Sequence, residues 1–161
     1  MIYVVMGVSG CGKSTVGEML AQQLNISFYD ADDFHTDLNK EKMASSIALT
    51  DHDRSPWLGL LANHMVDWNA SGGAVLACSA LKQCYRDALT STLPNRIQFI
   101  YLKGDEKTLA QRLSNRTMHF MSSALLQSQL QTLEEPKGAI LISIENTVDE
   151  IVATIFKAIN V

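Results

Sequence analysis

The segment GVSGCGKST, Gly7–Thr15, gathers three glycines, a lysine and the hydroxyls of Ser9, Ser14 and Thr15 directly behind an apolar run. It fits the pattern G-x-x-x-x-G-K-[ST] at Gly7, Gly12, Lys13 and Ser14. Glycines let the backbone curl with its N–H groups pointing inward, so the loop becomes a concave nest at the positive end of a helix, suited to phosphate oxygens. Lys13 adds a point charge between the β- and γ-phosphates, and the Ser14 hydroxyl is a ligand for Mg²⁺. The expected ligands are therefore ATP and Mg²⁺. The residues expected around the nucleotide are Gly7, Ser9, Gly10, Cys11, Gly12, Lys13, Ser14 and Thr15, with the side chains of Val8 and Cys11 acting as spacers.

An acidic pair follows in ISFYDADDFH. Asp30 and Asp32 are two residues apart, so a continuing strand turns both carboxylates to one face, toward the phosphates, with Ala31 and Asp33 turned aside. One carboxylate can serve the metal while the other orients or deprotonates an acceptor hydroxyl, which is the layout of a small-molecule kinase. Two other classes fit less well. A guanine-specific switch needs N-K-x-D, and the nearest match, Asn39-Lys40-Glu41-Lys42, lacks the Asp. A mechanical ATPase places a metal-binding Asp at the end of a later buried strand, whereas AVLACSALK ends in Cys78 and Ser79.

Positioning these groups requires a sheet. Strand-like runs recur at Ile2–Met6, Ile26–Tyr29, Ala74–Ala77, Ile97–Leu102 and Ile140–Ile144, separated by stretches of helical period. That alternation predicts an α/β fold of three layers, a parallel sheet with helices on both faces. Val16, Met19, Leu20 and Leu24 form one helical stripe behind the glycines, with Asn25 as its stop. In DRSPWLGLLANHMVDW, Ser55 is the expected N-cap and Pro56 the first helical residue, with Leu58, Leu61, Ala62 and Met65 facing inward and His64 outward. Val148, Ile151, Val152, Ile155, Phe156 and Ile159 mark the last helix. The polar, Met-rich stretch of residues 112–136 reads as a mobile helical cover.

The chain of 161 residues has the length of one domain, and no linker or repeat divides it, so residues 1–161 are expected to form a single unit. Its net charge of -4 argues against nucleic-acid binding, which calls for a basic face. Three cysteines in no C-x-x-C pair suggest free thiols in a reducing compartment. With no signal-like segment and no apolar run approaching ~18 residues, a cytoplasmic protein without membrane contact is expected.

Beyond the loop, the blocks MGVSGCGKS, DADDFH, NKEKMASSIALTDHDRSPWL, CSALKQCYRDAL, FIYLKGD and NRTMHFMSSALLQSQLQTLEEP cover nearly the whole chain. In this combination the sequence resembles the gluconate kinase (gluconokinase) family of small P-loop kinases. The resemblance implies ATP-dependent phosphorylation of D-gluconate at its 6-hydroxyl, giving 6-phosphogluconate. It also implies a nucleoside-monophosphate-kinase-like fold of five parallel strands with a helical lid, in a homodimer.

A hydroxylated carboxylate needs cations for its carboxylate, and Arg54, Lys82 and Arg86 are the expected donors. Asp32 is the expected base or hydroxyl positioner, His35 a second substrate contact and Asp30 part of the metal shell; the two aspartates exchange roles without altering the pattern. From the lid, Arg116 is expected to meet the transferring phosphoryl group, Arg112 to contact the nucleotide and His119 to contact substrate. Three positions depart from the family's usual residues: Ala31 and Met118 stand where Gly is usual, and Thr36 where Pro is usual.

Overall fold

The computed structural model describes residues 1–115 and 123–160. Its centre is a five-stranded parallel sheet of β1 (Ile2–Met6), β2 (Ser27–Asp30), β3 (Ala74–Ala77), β4 (Ile97–Lys103) and β5 (Ile140–Ser143), in the order β2-β3-β1-β4-β5. The described helices are α1 (Lys13–Leu24), α2 (Asp37–Ala44), α3 (Asp51–Ala70), α4 (Gln83–Thr90), α5 (Glu106–Ser114), α6 (Ser123–Thr132) and α7 (Val148–Ile159). All five expected strands are present, with boundaries displaced by at most one residue.

Two apolar clusters lie on opposite faces of the sheet. Ile2, Val4 and Met6 of β1 enter the cluster built with Trp57, Leu61 and Met65 of α3 and Tyr85 and Leu89 of α4. Val5 joins the other, with Val16 and Leu20 of α1, Leu109 of α5 and Ile151, Val152 and Ile155 of α7. The alternation along β1 is the period of two that a strand covered on both sides requires.

The helix ends follow local chemistry. Asn25 caps α1 in the left-handed region at φ 53°, its N–H reaching back to Ala21 O and Gln22 O. The expectation for α3 needs correction: it starts at Asp51, not at Pro56. Thr50 and Asp53 form a reciprocal capping box, which satisfies two first-turn donors five residues earlier than a Ser55 cap would. Pro56 lies inside α3 as a result, and His64 is half-buried, stacked on Trp68 with ring centroids 5.5 Å apart. Thr36, at the usual proline position, caps α2 by accepting from Asn39 N at 3.2 Å.

Candidate active site

The carboxyl ends of β2, β3 and β1 finish level, because Asp30 pairs with Ala77 and Ala77 with Val5. The loops leaving these ends form one rim, where ligands collect in open parallel sheets. A cavity of about 650 Å³ opens there. Ser9, Gly10, Gly12, Lys13, Ser14 and Thr15 line one side and Asp30, Asp32 and His35 the adjoining wall.

The glycine-rich loop has the geometry expected for phosphates. Gly12 holds φ 93° at the start of α1, and no side chain caps the helix, which leaves its first-turn amides facing the cavity. A Cβ on Gly12 would meet no protein atom within 4 Å, so it would project into the cradle while straining the backbone. Gly7 is required for another reason: a Cβ there would lie 2.8 Å from both Cys11 Sγ and Leu102 O. Gly7 and Cys11 therefore shape the loop from behind, with Cys11 buried. Lys13 Nζ donates to Val8 O at 3.2 Å, folding the side chain over the loop.

Asp30 and Asp32 do both reach the cavity, although the route differs from the expected continuing strand. β2 stops at Asp30 and residues Ala31–Phe34 form a 3₁₀ turn, started by Asp30 Oδ1 accepting from Asp32 N at 3.0 Å. The other Asp30 oxygen accepts from Ser14 Oγ at 2.7 Å. Ala31 sits in this turn without positive φ, so the usual glycine is not needed for the backbone here. Trp57 Nε1 donates to Ala31 O at 2.8 Å and pins the turn to α3.

Asp32 is drawn above the usual aspartate range by its concave, partly desolvated setting, then by the neighbouring charge of Asp30; Lys13 opposes the shift. Its side chain nonetheless remains 78% exposed toward the cavity, with Oδ1 3.8 Å from His35 Nε2. His35 is 7% exposed and stacks on Trp57 with centroids 4.0 Å apart. Burial, and then the charges of Arg54 and Lys40, push His35 down to about 4, so the ring is neutral at physiological pH. Cys78 also lines the cavity, but burial raises its thiol to about 12 and leaves it without nucleophilic character.

The three expected carboxylate donors separate. Arg54 lines the cavity, its Nη1 donating to Leu49 O and lying 3.4 Å from the Tyr85 hydroxyl. Lys82 is outside the lining, with Nζ 3.0 Å from both oxygens of Asp51, which also accepts from the Tyr85 hydroxyl. Arg86 requires correction: it is buried and donates to the carbonyls of Ala80, Leu81 and Glu134 and to Gln83 Oε1. Its fork is consumed in holding the turn after β3, where Ala80 adopts φ 44°. Arg112 donates to Ile144 O at 2.6 Å and is also outside the lining. Arg116 and His119 lie outside the described residues.

Several site residues were missed in the sequence reading. Lys40, Met43, Ala44, Ile47 and Leu49 form a wall from α2 and the turn after it. Trp57 belongs to the apolar cluster under α3 and is also a wall residue. α6 contributes Leu125, Ser128, Gln129 and Thr132, and Gln129 Oε1 accepts from Ser9 N at 2.8 Å, tying this helix to the phosphate loop. Only the polar, helix-prone character of residues 112–136 hinted at that contact.

The donor set also suits the metal. Ser14 and Asp30 offer hard oxygens at the edge of the phosphate cradle, and Mg²⁺ typically takes one or two protein oxygens alongside phosphate oxygens and water. No group of three or more His, Cys, Asp and Glu able to hold a metal ion occurs among the described residues, so a site needing several protein carboxylates does not fit.

A nucleotide cradle and an aspartate pair sharing one cavity on a parallel sheet define a P-loop small-molecule kinase. A shikimate kinase family model matches residues 9–159. A protein named "Probable gluconokinase" from Dictyostelium discoideum is 45% identical, with 97% of this chain and 84% of that protein covered. "Thermoresistant gluconokinase" from Escherichia coli K12 is 40% identical over 98% of this chain and 93% of its own length. The crystal structure of a gluconokinase from Sinorhizobium meliloti superposes with TM-score 0.86 at 39% identity, covering 98% of this chain and 94% of the other. This chain belongs to the gluconokinase family, within the shikimate-kinase-like P-loop fold.

Proposed function

We propose that the chain transfers the γ-phosphoryl group of ATP to the 6-hydroxyl of D-gluconate, giving 6-phosphogluconate and ADP. The observation that carries this reading is the shared cavity: the phosphate cradle and Asp32 open into one space, in a chain that belongs to the gluconokinase family.

In this mechanism the first-turn amides of α1 and the Lys13 ammonium hold the phosphates and balance charge that grows on their oxygens. Mg²⁺, when bound, neutralises the β- and γ-phosphate oxygens. Asp32 accepts a hydrogen bond from the 6-hydroxyl and takes its proton as the oxygen bonds to the γ-phosphorus; the bond to the β-phosphate oxygen breaks, and ADP carries away its electron pair. The raised pKa of Asp32 suits it to receive that proton. Asp30 and Ser14, joined by a hydrogen bond at the edge of the cradle, are the residues that would hold Mg²⁺. Arg116 and Arg112 are proposed to approach the nucleotide from the segment around α6, and His119 the substrate.

The same reading carries a homodimer and a cytoplasmic location. No helix among the described residues is long and apolar enough to cross a membrane. Coupled measurement of ADP release with MgATP and a panel of gluconate, other aldonates and shikimate tests the proposal. Gluconate is expected to give the highest kcat/KM; ATP binding without gluconate-dependent turnover would reject it.

A further inference from the structure

The cavity is electrically divided. Asp30 and Asp32 stand at the phosphate side, while Lys40 of α2 and Arg54 of α3 line the wall around His35. Neither Lys40 nor Arg54 makes an ion pair with a carboxylate among the described residues, in contrast to Lys82 and Lys42, which are held by Asp51 and Asp53. The same wall holds a polar atom without a partner among the described residues. His35 Nδ1 is buried and makes no hydrogen bond among the described residues, an arrangement that costs free energy until a ligand supplies one.

The two carboxylates at the start of α3 are committed to other cations: Asp51 to Lys82 and Asp53 to Lys42. Asp53 accepts from Lys42 at 2.9 Å and from Thr50 N at 3.0 Å, and Asn39 Nδ2 donates to Asp53 O at 3.0 Å. These bonds fasten α2 to the start of α3 and fix Lys40 and Arg54 on the same wall. With Asp51 and Asp53 paired to other cations, Lys40 and Arg54 leave two positive charges on the cavity wall.

We propose that Lys40, together with Arg54 and His35, forms the subsite for the carboxylate end of the acceptor, and that Lys40 sets the preference for sugar acids over neutral polyols. This rests on the reading of the site as a sugar-acid kinase. The carboxylate would receive charge-assisted hydrogen bonds from Lys40 and Arg54, while His35 meets a hydroxyl or carboxylate oxygen beside them. With the carboxylate held at that end, the far hydroxyl of the chain is directed toward Asp32.

The test compares the full chain with Lys40→Met and Lys40→Arg, using D-gluconate and its neutral counterpart D-glucitol. Lys40→Met is expected to raise the gluconate KM roughly ten- to a hundredfold, in line with loss of a hydrogen bond to a charged group. Its kcat and its KM for ATP should stay within about threefold of wild type, and binding or turnover of D-glucitol should be unchanged. Lys40→Arg should recover most of the loss. An unchanged gluconate KM in Lys40→Met, or equal losses for gluconate and D-glucitol, would overturn the subsite. Calorimetric binding of gluconate separates this from the functional reading. A wild-type chain that binds gluconate through Lys40 without turning it over sinks the kinase assignment alone. Turnover that is insensitive to Lys40 sinks the subsite alone, and absence of both binding and turnover sinks both.

Discussion

Ser14 Oγ donates a 2.7 Å hydrogen bond to Asp30 Oδ2, joining the first turn of α1 to the end of β2. The two residues are far apart in the chain, yet the parallel order β2-β3-β1 brings their strand ends to one rim. Asp30→Asn keeps the hydrogen-bonding shape and removes the charge. The expected outcome is a several-fold higher Mg²⁺ concentration for half-maximal rate, read from a magnesium titration at fixed ATP, with much of the rate regained at high Mg²⁺.

Lys13→Ala removes a preorganised positive charge from the phosphate cradle. Comparable electrostatic donors contribute about 2.7–4 kcal/mol to transition-state stabilisation, so kcat should fall about 10²–10³-fold. Steady-state rates, with circular dichroism to verify folding, check this.

Asp32 must be ionised to take a proton, and desolvation followed by Asp30 raises its pKa above the ordinary 3.8. The acid limb of kcat/KM for gluconate should therefore fall at a higher pH than an unperturbed aspartate would give. Asp32→Asn should lower kcat by about 10²–10⁴-fold and abolish that limb. Because ionising a carboxyl with a raised folded-state pKa disfavours the folded state, the same variant should have an equal or higher Tm at neutral pH.

His35 carries the opposite sign. Its pKa falls from 6.5 unfolded to about 4 folded, so the unfolded chain binds the extra proton. Its contribution to stability is complete above about pH 6.5 and declines as pH falls toward about 4, by on the order of 2–3 kcal/mol. His35→Gln should flatten the dependence of unfolding free energy on pH across this window in urea titrations.

Arg86→Met should act on stability instead of on recognition. It strands the carbonyls of Ala80, Leu81 and Glu134, for a loss on the order of 3 kcal/mol and a Tm several degrees lower. Arg86→Lys should not rescue it, since a point charge cannot reproduce a planar fork that meets acceptors from both chain segments.

Much of the site was legible because its parts are local. Gly7, Gly12, Lys13 and Ser14 lie in one short segment whose conformation follows from glycine and from the helix start behind it. Asp30 and Asp32 were likewise readable as a pair, although β2 ends at Asp30 and a 3₁₀ turn, not a continuing strand, carries Asp32 to the cavity. The cations were harder. Arg54, Lys82 and Arg86 look alike in sequence, but one faces the cavity, one pairs with Asp51 and one is buried against carbonyls. The start of α3 was misplaced because Pro56 is a strong local signal, and the reciprocal bonds of Thr50 and Asp53 outweighed it.

By itself the sequence determined the parallel α/β architecture, the phosphate cradle and the acidic pair, since each depends on period or spacing over a few residues. Only the tertiary structure decided which charges are free. Whether Lys40 remains available while Lys82 is neutralised depends on which carboxylate packing brings within hydrogen-bond reach, and Asp51 of α3 meets Lys82 at the start of α4 only after the chain has passed through β3. Electrostatic pairing acts through space over a few ångströms, and separation along the chain carries almost no information about it.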